Sequence, residues 1–190
     1  MIRTYSKGSK LIFKSRLEQK FLNVYNKLNF CPHSQKKYNL TISEKYKFVW
    51  FRVAKVGTRS ILDGLNKLNI PLSAYHSKHC YLPYKKYENY FKFAFTREPL
   101  NRFISAWKDK IINITNKKKN YFNLSPKQIE KMKDINYFIK FEFFEKNFFQ
   151  KDIHFKRQSD LIDLNNIDFI GRLENIESDF NYIMKRLDVN

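Results

Sequence analysis

Residues 47–60, KFVWFRVAKVGTRS, decide the fold. Lys47 to Val53 is a short apolar and aromatic run, the composition of a strand buried on both faces. The run breaks at Lys55, Val56, Gly57 and Thr58. From Ser60 to Leu68 (SILDGLNKL), Ile61, Leu65 and Leu68 recur at helical spacing. A buried strand, a short loop with one glycine and an amphipathic helix are the opening unit of an α/β domain.

The pattern repeats downstream. A polar, tyrosine-rich stretch runs from Ser73 to Tyr90, and Phe91 to Phe95 (FKFAF) is a second buried strand. Pro99 suits a first helical turn, so a helix is expected from Leu100 to Ile112. Asn113 to Asn123 reads as a lysine- and asparagine-rich loop. Ser125, Pro126 and Gln128 mark a helix start, with one helix to about Lys133 and another from Ile135 to Phe149. Asp168 to Leu173 is a third strand, and a last helix covers Glu174 to Leu187. Upstream, Leu17, Phe21, Val24 and Leu28 keep helical spacing, so residues 1–45 are expected to be a helical extension. The whole, residues 1–190, reads as one three-layer, P-loop-like α/β domain. Its core lies at about 47–187, with a central parallel sheet flanked by helices. Lys47–Val53 and Phe91–Phe95 should be neighbouring parallel strands.

Composition narrows the function. The chain has 190 residues, 43% of them hydrophobic and 17% aromatic, which supports a folded core and argues against disorder. A formal charge of +19 attracts polyanions, whether nucleic acid, anionic membrane, sulfated glycan or nucleotide. The abundance of Lys, Asn, Ile and Phe, all with AT-rich codons, is a competing source of that charge. Cys31 and Cys80 stand alone, outside any CxxC spacing. Two thiols are expected, a single disulfide being the alternative, and no metal site. No apolar run approaches the roughly 20 residues that span a bilayer. Met1 to Lys20 lacks the apolar middle of a signal peptide, so a cytoplasmic protein is expected.

Two segments carry chemistry. In the first, Arg52 to Ser60, the loop lies between a strand end and a helix N-terminus, where unpaired amides and the helix dipole favour an anion. Gly57 permits close backbone approach, Thr58 and Ser60 add hydroxyls, and Lys55 adds a charge. The GxxxxGK[ST] spacing is absent, so nucleotide hydrolysis on a Walker loop is not indicated. The second segment is FKFAFTREPLNRFISAWKDK, residues 91–110. Here Arg97 stands at a strand end, where open α/β sheets bind ligands. With Ser105 it forms a candidate phosphate clamp. Arg102 shares a helix face with Ser105.

Together, in this order, the segments resemble the PAPS-dependent sulfotransferases. The resemblance is nearest to the Golgi carbohydrate sulfotransferases and their bacterial relatives. Lys55 to Ser60 looks like the 5'-phosphosulfate loop, and Arg97 to Ser105 looks like the 3'-phosphate motif. Two later stretches extend the likeness, DIHFKRQ (152–158) to an H-x-x-x-Q segment and FIGRLE (169–174) to an F-[IV]-G-[KR]-x-E strand. The sequence departs from the pattern at Ala54, where proline is common, and at Glu98, where Asp or Asn is usual. Relatives continue past the last helix, so the chain, ending at Asn190, reads as a truncated gene or a minimal version.

The resemblance implies a donor, PAPS, with PAP as product, and a hydroxyl acceptor, a carbohydrate in this group. It implies donor contacts from Arg52, Lys55, Val56, Gly57, Thr58, Arg59, Ser60, Arg97 and Ser105. Lys55 would stabilise the leaving phosphate, with no metal. The base would be a histidine between the two motifs, which leaves His76 and His79. Lys78-His79 is nearer the bacterial pattern, and His154 is a rival through H-x-x-x-Q. The alternatives are a P-loop kinase, which lacks its Lys-Ser/Thr pair here, and a basic nucleic-acid-binding protein, which lacks a recognition motif. No nucleic-acid partner is expected.

Overall fold

The aromatic run around Trp50 becomes the middle of a five-stranded sheet. The computed structural model describes residues 33–113, 125–141 and 152–189, apart from the side chains of His76 and Ser77. The strands are β1 (Tyr38–Ser43), β2 (Phe48–Phe51), β3 (Ala74–Cys80), β4 (Phe91–Thr96) and β5 (Phe169–Arg172). Their spatial order is β3-β1-β2-β4-β5. β2 and β4 are adjacent and parallel, Phe51 lying opposite Ala94, as the repeated strand pattern predicts. β5 extends the parallel set, Thr96 lying opposite Arg172.

β1 pairs antiparallel with both β2 and β3, so the sheet is mostly parallel and not wholly so. Tyr38–Ser43 is therefore a strand and not the end of a helical extension. The helical spacing at Leu17 to Leu28 lies outside the described residues. β3 falls in the polar stretch that showed no strand signal. It is an edge strand with register shifts against β1, and its mostly polar residues make no apolar run to read.

Among the described residues the α-helices are α1 (Thr58–Lys67), α2 (Pro99–Trp107), α3 (Pro126–Met132), α4 (Ile135–Phe141) and α5 (Ile176–Arg186). Pro99 begins α2 as expected. α2 runs on as a π-helical turn, Lys108–Ile112. Ser125 and Gln128 form the capping box that starts α3. The stretch 142–149, expected to continue α4, lies outside the described residues.

The four residues of β2 are fully buried. Phe48, Trp50 and Phe93 stack along one sheet face, with Phe91 and Phe95 at either end of the row. α1 and α5 meet closely: a Cβ at Gly64 would lie 2.8 Å from the Phe180 ring. A smaller core joins Ala106, Ile111, Met132, Phe138, Phe141 and Phe155, under α2, α3 and α4. The Cys80 thiol is buried and donates to Lys78 O at 3.4 Å, whereas Cys31 lies outside the described residues.

Candidate functional site

The loop after β2 turns through two left-handed residues, Lys55 at φ +69° and Gly57 at φ +74°. Only glycine takes this conformation freely, so Lys55 stores about 1–3 kcal/mol of strain that the surrounding structure must hold. Leu173 fixes the other end: a Cβ at Gly57 would lie 2.5 Å from Leu173 Cδ1. Gly57 is also the N-cap of α1, and no side chain caps that helix. α2 and α3, by contrast, are capped by Glu98 and Ser125. The first amides of α1 are therefore left to an outside acceptor, at the positive end of the dipole.

Beside this loop lies a cleft of about 450 Å³ lined by Lys55, Arg97, Ile104, Ser105, Lys108 and Asp109, among others. Three residues singled out in the sequence, Lys55, Arg97 and Ser105, thus converge from two loops and the helix α2. Lys55 Nζ pairs with Asp109 Oδ2 at 3.3 Å, and Lys110 Nζ approaches the same oxygen at 3.5 Å. Burial pushes the Lys55 pKa down, and Lys110 and Arg59 add to this, while Asp109 opposes it.

The remaining loop residues sit elsewhere. Val56 is wholly buried and packs in the core. Thr58 turns its hydroxyl back to Val53 O at 3.4 Å. Arg59 and Ser60 are exposed on the first turn of α1. Arg52 is buried, and burial lowers its pKa to about 10, with Tyr75 and Cys80 opposing. It lies just past the end of β2 and is not among the residues lining the cleft.

Arg97 is held by its neighbours. The Gln158 side chain accepts from Arg97 N at 2.9 Å and donates to Arg97 O at 2.7 Å. Glu174 accepts from Glu98 N at 2.8 Å. That bond, with help from Arg97 and Arg172, holds the Glu174 carboxyl below its usual range. Glu98 in turn accepts from the amides of Leu100 and Asn101 and caps α2.

Arg102 faces inward rather than sharing the cleft with Ser105. Its guanidinium donates to Ala54 O (2.9 Å), Lys156 O (2.8 Å) and Ile153 O (3.1 Å). Burial lowers its pKa to about 10, against the pull of Asp152. One buried side chain thereby ties the anion loop to the turn carrying His154. On that turn the His154 ring and amide both bond Asp152 Oδ1, at 2.6 and 2.7 Å. Burial would raise the Asp152 carboxyl, but the His154 bonds and the charge of Lys110 hold it low.

His76 and His79 both belong to β3. His79 is exposed, in a left-handed conformation at φ +53°. Its amide donates to the Asn39 side chain at 3.1 Å, and the Arg52 amide donates to Asn39 O at 2.8 Å. Two strand spacings, about 10 Å, therefore separate His79 from the root of the anion loop. Sequence reading gave no role to Asn39, Asp109 or Asp152. The motif likeness pointed to Gln158 and Glu174 but not to their task, which is to hold backbone.

An uncapped helix start behind a strained lysine loop thus lies beside a cleft that also takes an arginine and a serine from the next strand end and helix, a set of groups whose chemistry suits anions. Residues 38–190 match the model of the Sulfotransferase family, and the chain belongs to that family of sulfuryl transferases. No curated protein and no solved structure matches it. No helix among the described residues is long and apolar enough to cross a membrane.

Proposed function

We propose that this protein transfers a sulfuryl group from PAPS to a hydroxyl of a carbohydrate. One observation carries the reading: Lys55, Arg97 and Ser105 line a single cleft beside the uncapped start of α1. Lys55, Gly57, Thr58, Arg59 and Ser60 would receive the 5'-phosphosulfate at the loop and first turn. Arg97 and Ser105 would receive the 3'-phosphate. In the transfer, an acceptor oxygen bonds to sulfur as the bond from sulfur to the phosphate oxygen breaks. Lys55 stabilises the charge that develops on that leaving oxygen, a contact stronger in the transition state than before it. The acceptor's proton goes to a histidine of β3, His79 in preference to His76. Both sit at the edge of the sheet, away from the donor clamp.

The test is a thermal-shift and calorimetric panel with PAP, AMP, ADP, ATP and an oligonucleotide. PAP should stabilise the fold most, because a tight native-state ligand raises apparent stability by mass action. Arg97→Ala should weaken PAP by roughly 1.5–3 kcal/mol and leave AMP, which has no 3'-phosphate, nearly unchanged. Equal losses for PAP and AMP would contradict the clamp.

A further inference from the structure

A second cleft, of about 430 Å³, opens beside the start of β1. Its wall includes His33, Tyr38, Tyr84, Ser159, Asp163 and Asn165. We propose that it holds one uncharged, hydroxyl-bearing sugar ring of the acceptor, a reading that rests on the sulfotransferase assignment above for the word acceptor alone.

Position is the first argument. Tyr38 lies opposite Cys80 in the β1–β3 pairing, and Cys80 follows His79. Ser159, also in the lining, follows Gln158, whose amide clamps Arg97. The cleft thus lies between the strand of the proposed base and the residue that fixes the donor clamp. Its volume falls within the range of small-ligand sites, about 300–1,000 Å³.

Chemistry is the second argument. Asp163 is only 6% exposed. Its Oδ2 accepts from Tyr84 Oη at 2.6 Å and from Asn166 Nδ2 at 3.2 Å. No described residue donates to its Oδ1. A carboxylate has room for about four hydrogen bonds, and buried polar groups are nearly always satisfied. The lining therefore offers a fixed anionic acceptor with unused capacity. Both ring nitrogens of His33 are buried and have no hydrogen-bond partner among the described residues. Burial lowers the His33 pKa, and a neutral imidazole presents one donor and one acceptor. Asn165 and Gln35 add planar amides at the rim.

This set matches adjacent hydroxyls, which both donate and accept. It also selects against charge. A uronate or sulfate placed here would meet the Asp163 carboxylate, and the nearest rim cation, Lys36, already faces Asp160 at 3.9 Å. The cleft therefore discriminates against anionic rings although the chain carries a formal charge of +19.

Saturation-transfer NMR on the full chain, with and without PAP, provides the test. The probes are methyl galactoside, methyl N-acetylglucosaminide and methyl glucuronide. Expected is transfer to one or both neutral glycosides and not to the glucuronide. Asp163→Asn and the cleft-filling Asn165→Trp should each weaken that binding at least tenfold, with the PAP-induced thermal shift unchanged. Asn165 is exposed and makes no described bond that folding needs, so its variant reports on the cleft even if Asp163→Asn unfolds. Undiminished binding in Asn165→Trp, preference for the glucuronide, or PAP binding with no sugar binding at all would each overturn the proposal. Neutral glycosides that bind and are lost in both variants, in a protein that ignores PAP, would leave the sugar cleft standing and remove the donor assignment alone.

Discussion

Lys55 sits between two anions that cannot both have it. Asp109 holds its ammonium at 3.3 Å, and a phosphosulfate in the cleft would compete for the same charge. The carboxylate is about one-third exposed, so water screens the pair and its net strength is modest, about 1 kcal/mol or less. A multiply charged donor held also by Arg97 and Ser105, as proposed, would prevail over such a pair. Under the proposed mechanism the released Lys55 would act where charge develops, and this separates its mutant from that of the base. Lys55→Ala should depress turnover severely, by a factor of about 10² or more, while PAP affinity falls only a little. His79→Ala should leave PAP affinity intact and remove the acidic limb of the pH–rate profile, the limb on which an imidazole base takes up its proton and stops working. Steady-state rates against pH for the two variants, with PAP titrations beside them, check this. If His79→Ala and His76→Ala both keep wild-type profiles, the base lies elsewhere, and the Asp152–His154 pair comes next.

Elements reach the site through close packing. β5 contributes no cleft residue, yet Glu174 just beyond it holds the Glu98 amide. Its seat against the sheet depends on Gly171, where a Cβ would lie 2.7 and 2.9 Å from two atoms of the Phe95 ring. Phe95 is wholly buried and cannot yield. Gly171→Ala should therefore cost about 1–3 kcal/mol in urea unfolding and weaken PAP as well, since Glu174 moves with the strand. Gly64→Ala makes the instructive contrast. A Cβ there meets the Phe180 ring at 2.8 Å, but that ring is only half-buried and can shift. Alanine also gains about 0.8–1 kcal/mol of helix propensity over glycine, so the net cost should be clearly smaller than at Gly171. The same scale shows what could be read in advance. β2 and β4 were legible because burial makes them continuous apolar runs, and α2 and α3 because proline and a capping box mark their starts. β1 and β3 were not legible. Tyr38–Ser43 mixes Asn, Thr and Ser with its apolar residues, and its Thr41 and Ser43 are buried only because their hydroxyls bond Tyr75 O and Pro71 O. Those bonds are made to residues more than 25 positions away, and no local pattern announces them. For the same reason Lys55, Arg97 and Ser105 could be named from short motifs, whereas Arg102's inward turn could not. Its three carbonyl partners come from residues 54, 153 and 156.

Across the whole molecule, the formal charge of +19 acts by long-range field as well as by contact, and the two can be separated by salt. Arg97 and Lys108 line the donor cleft with Lys55, and Arg59 and Lys110 lie near enough to disfavour its charged form. Against these, Asp109 is the acidic residue among the lining residues. An anionic donor should therefore be drawn in from solution before it touches any of them. Such steering weakens as the Debye length shortens, from about 30 Å at 0.01 M to about 3 Å at 1 M ionic strength. Stopped-flow binding of PAP should show an association rate that falls about tenfold or more over that range, with dissociation changing much less. Contacts and field then part company among variants. Arg97→Ala removes a contact and should mainly speed dissociation. Replacing Lys117, Lys118 and Lys119 together with glutamine removes three charges outside the described residues. It should slow association and flatten its salt dependence while leaving dissociation alone. An association rate indifferent to salt would mean that the charge is a product of base composition without a part in donor capture. Arg97 and Lys55 would then bind by short-range contact alone.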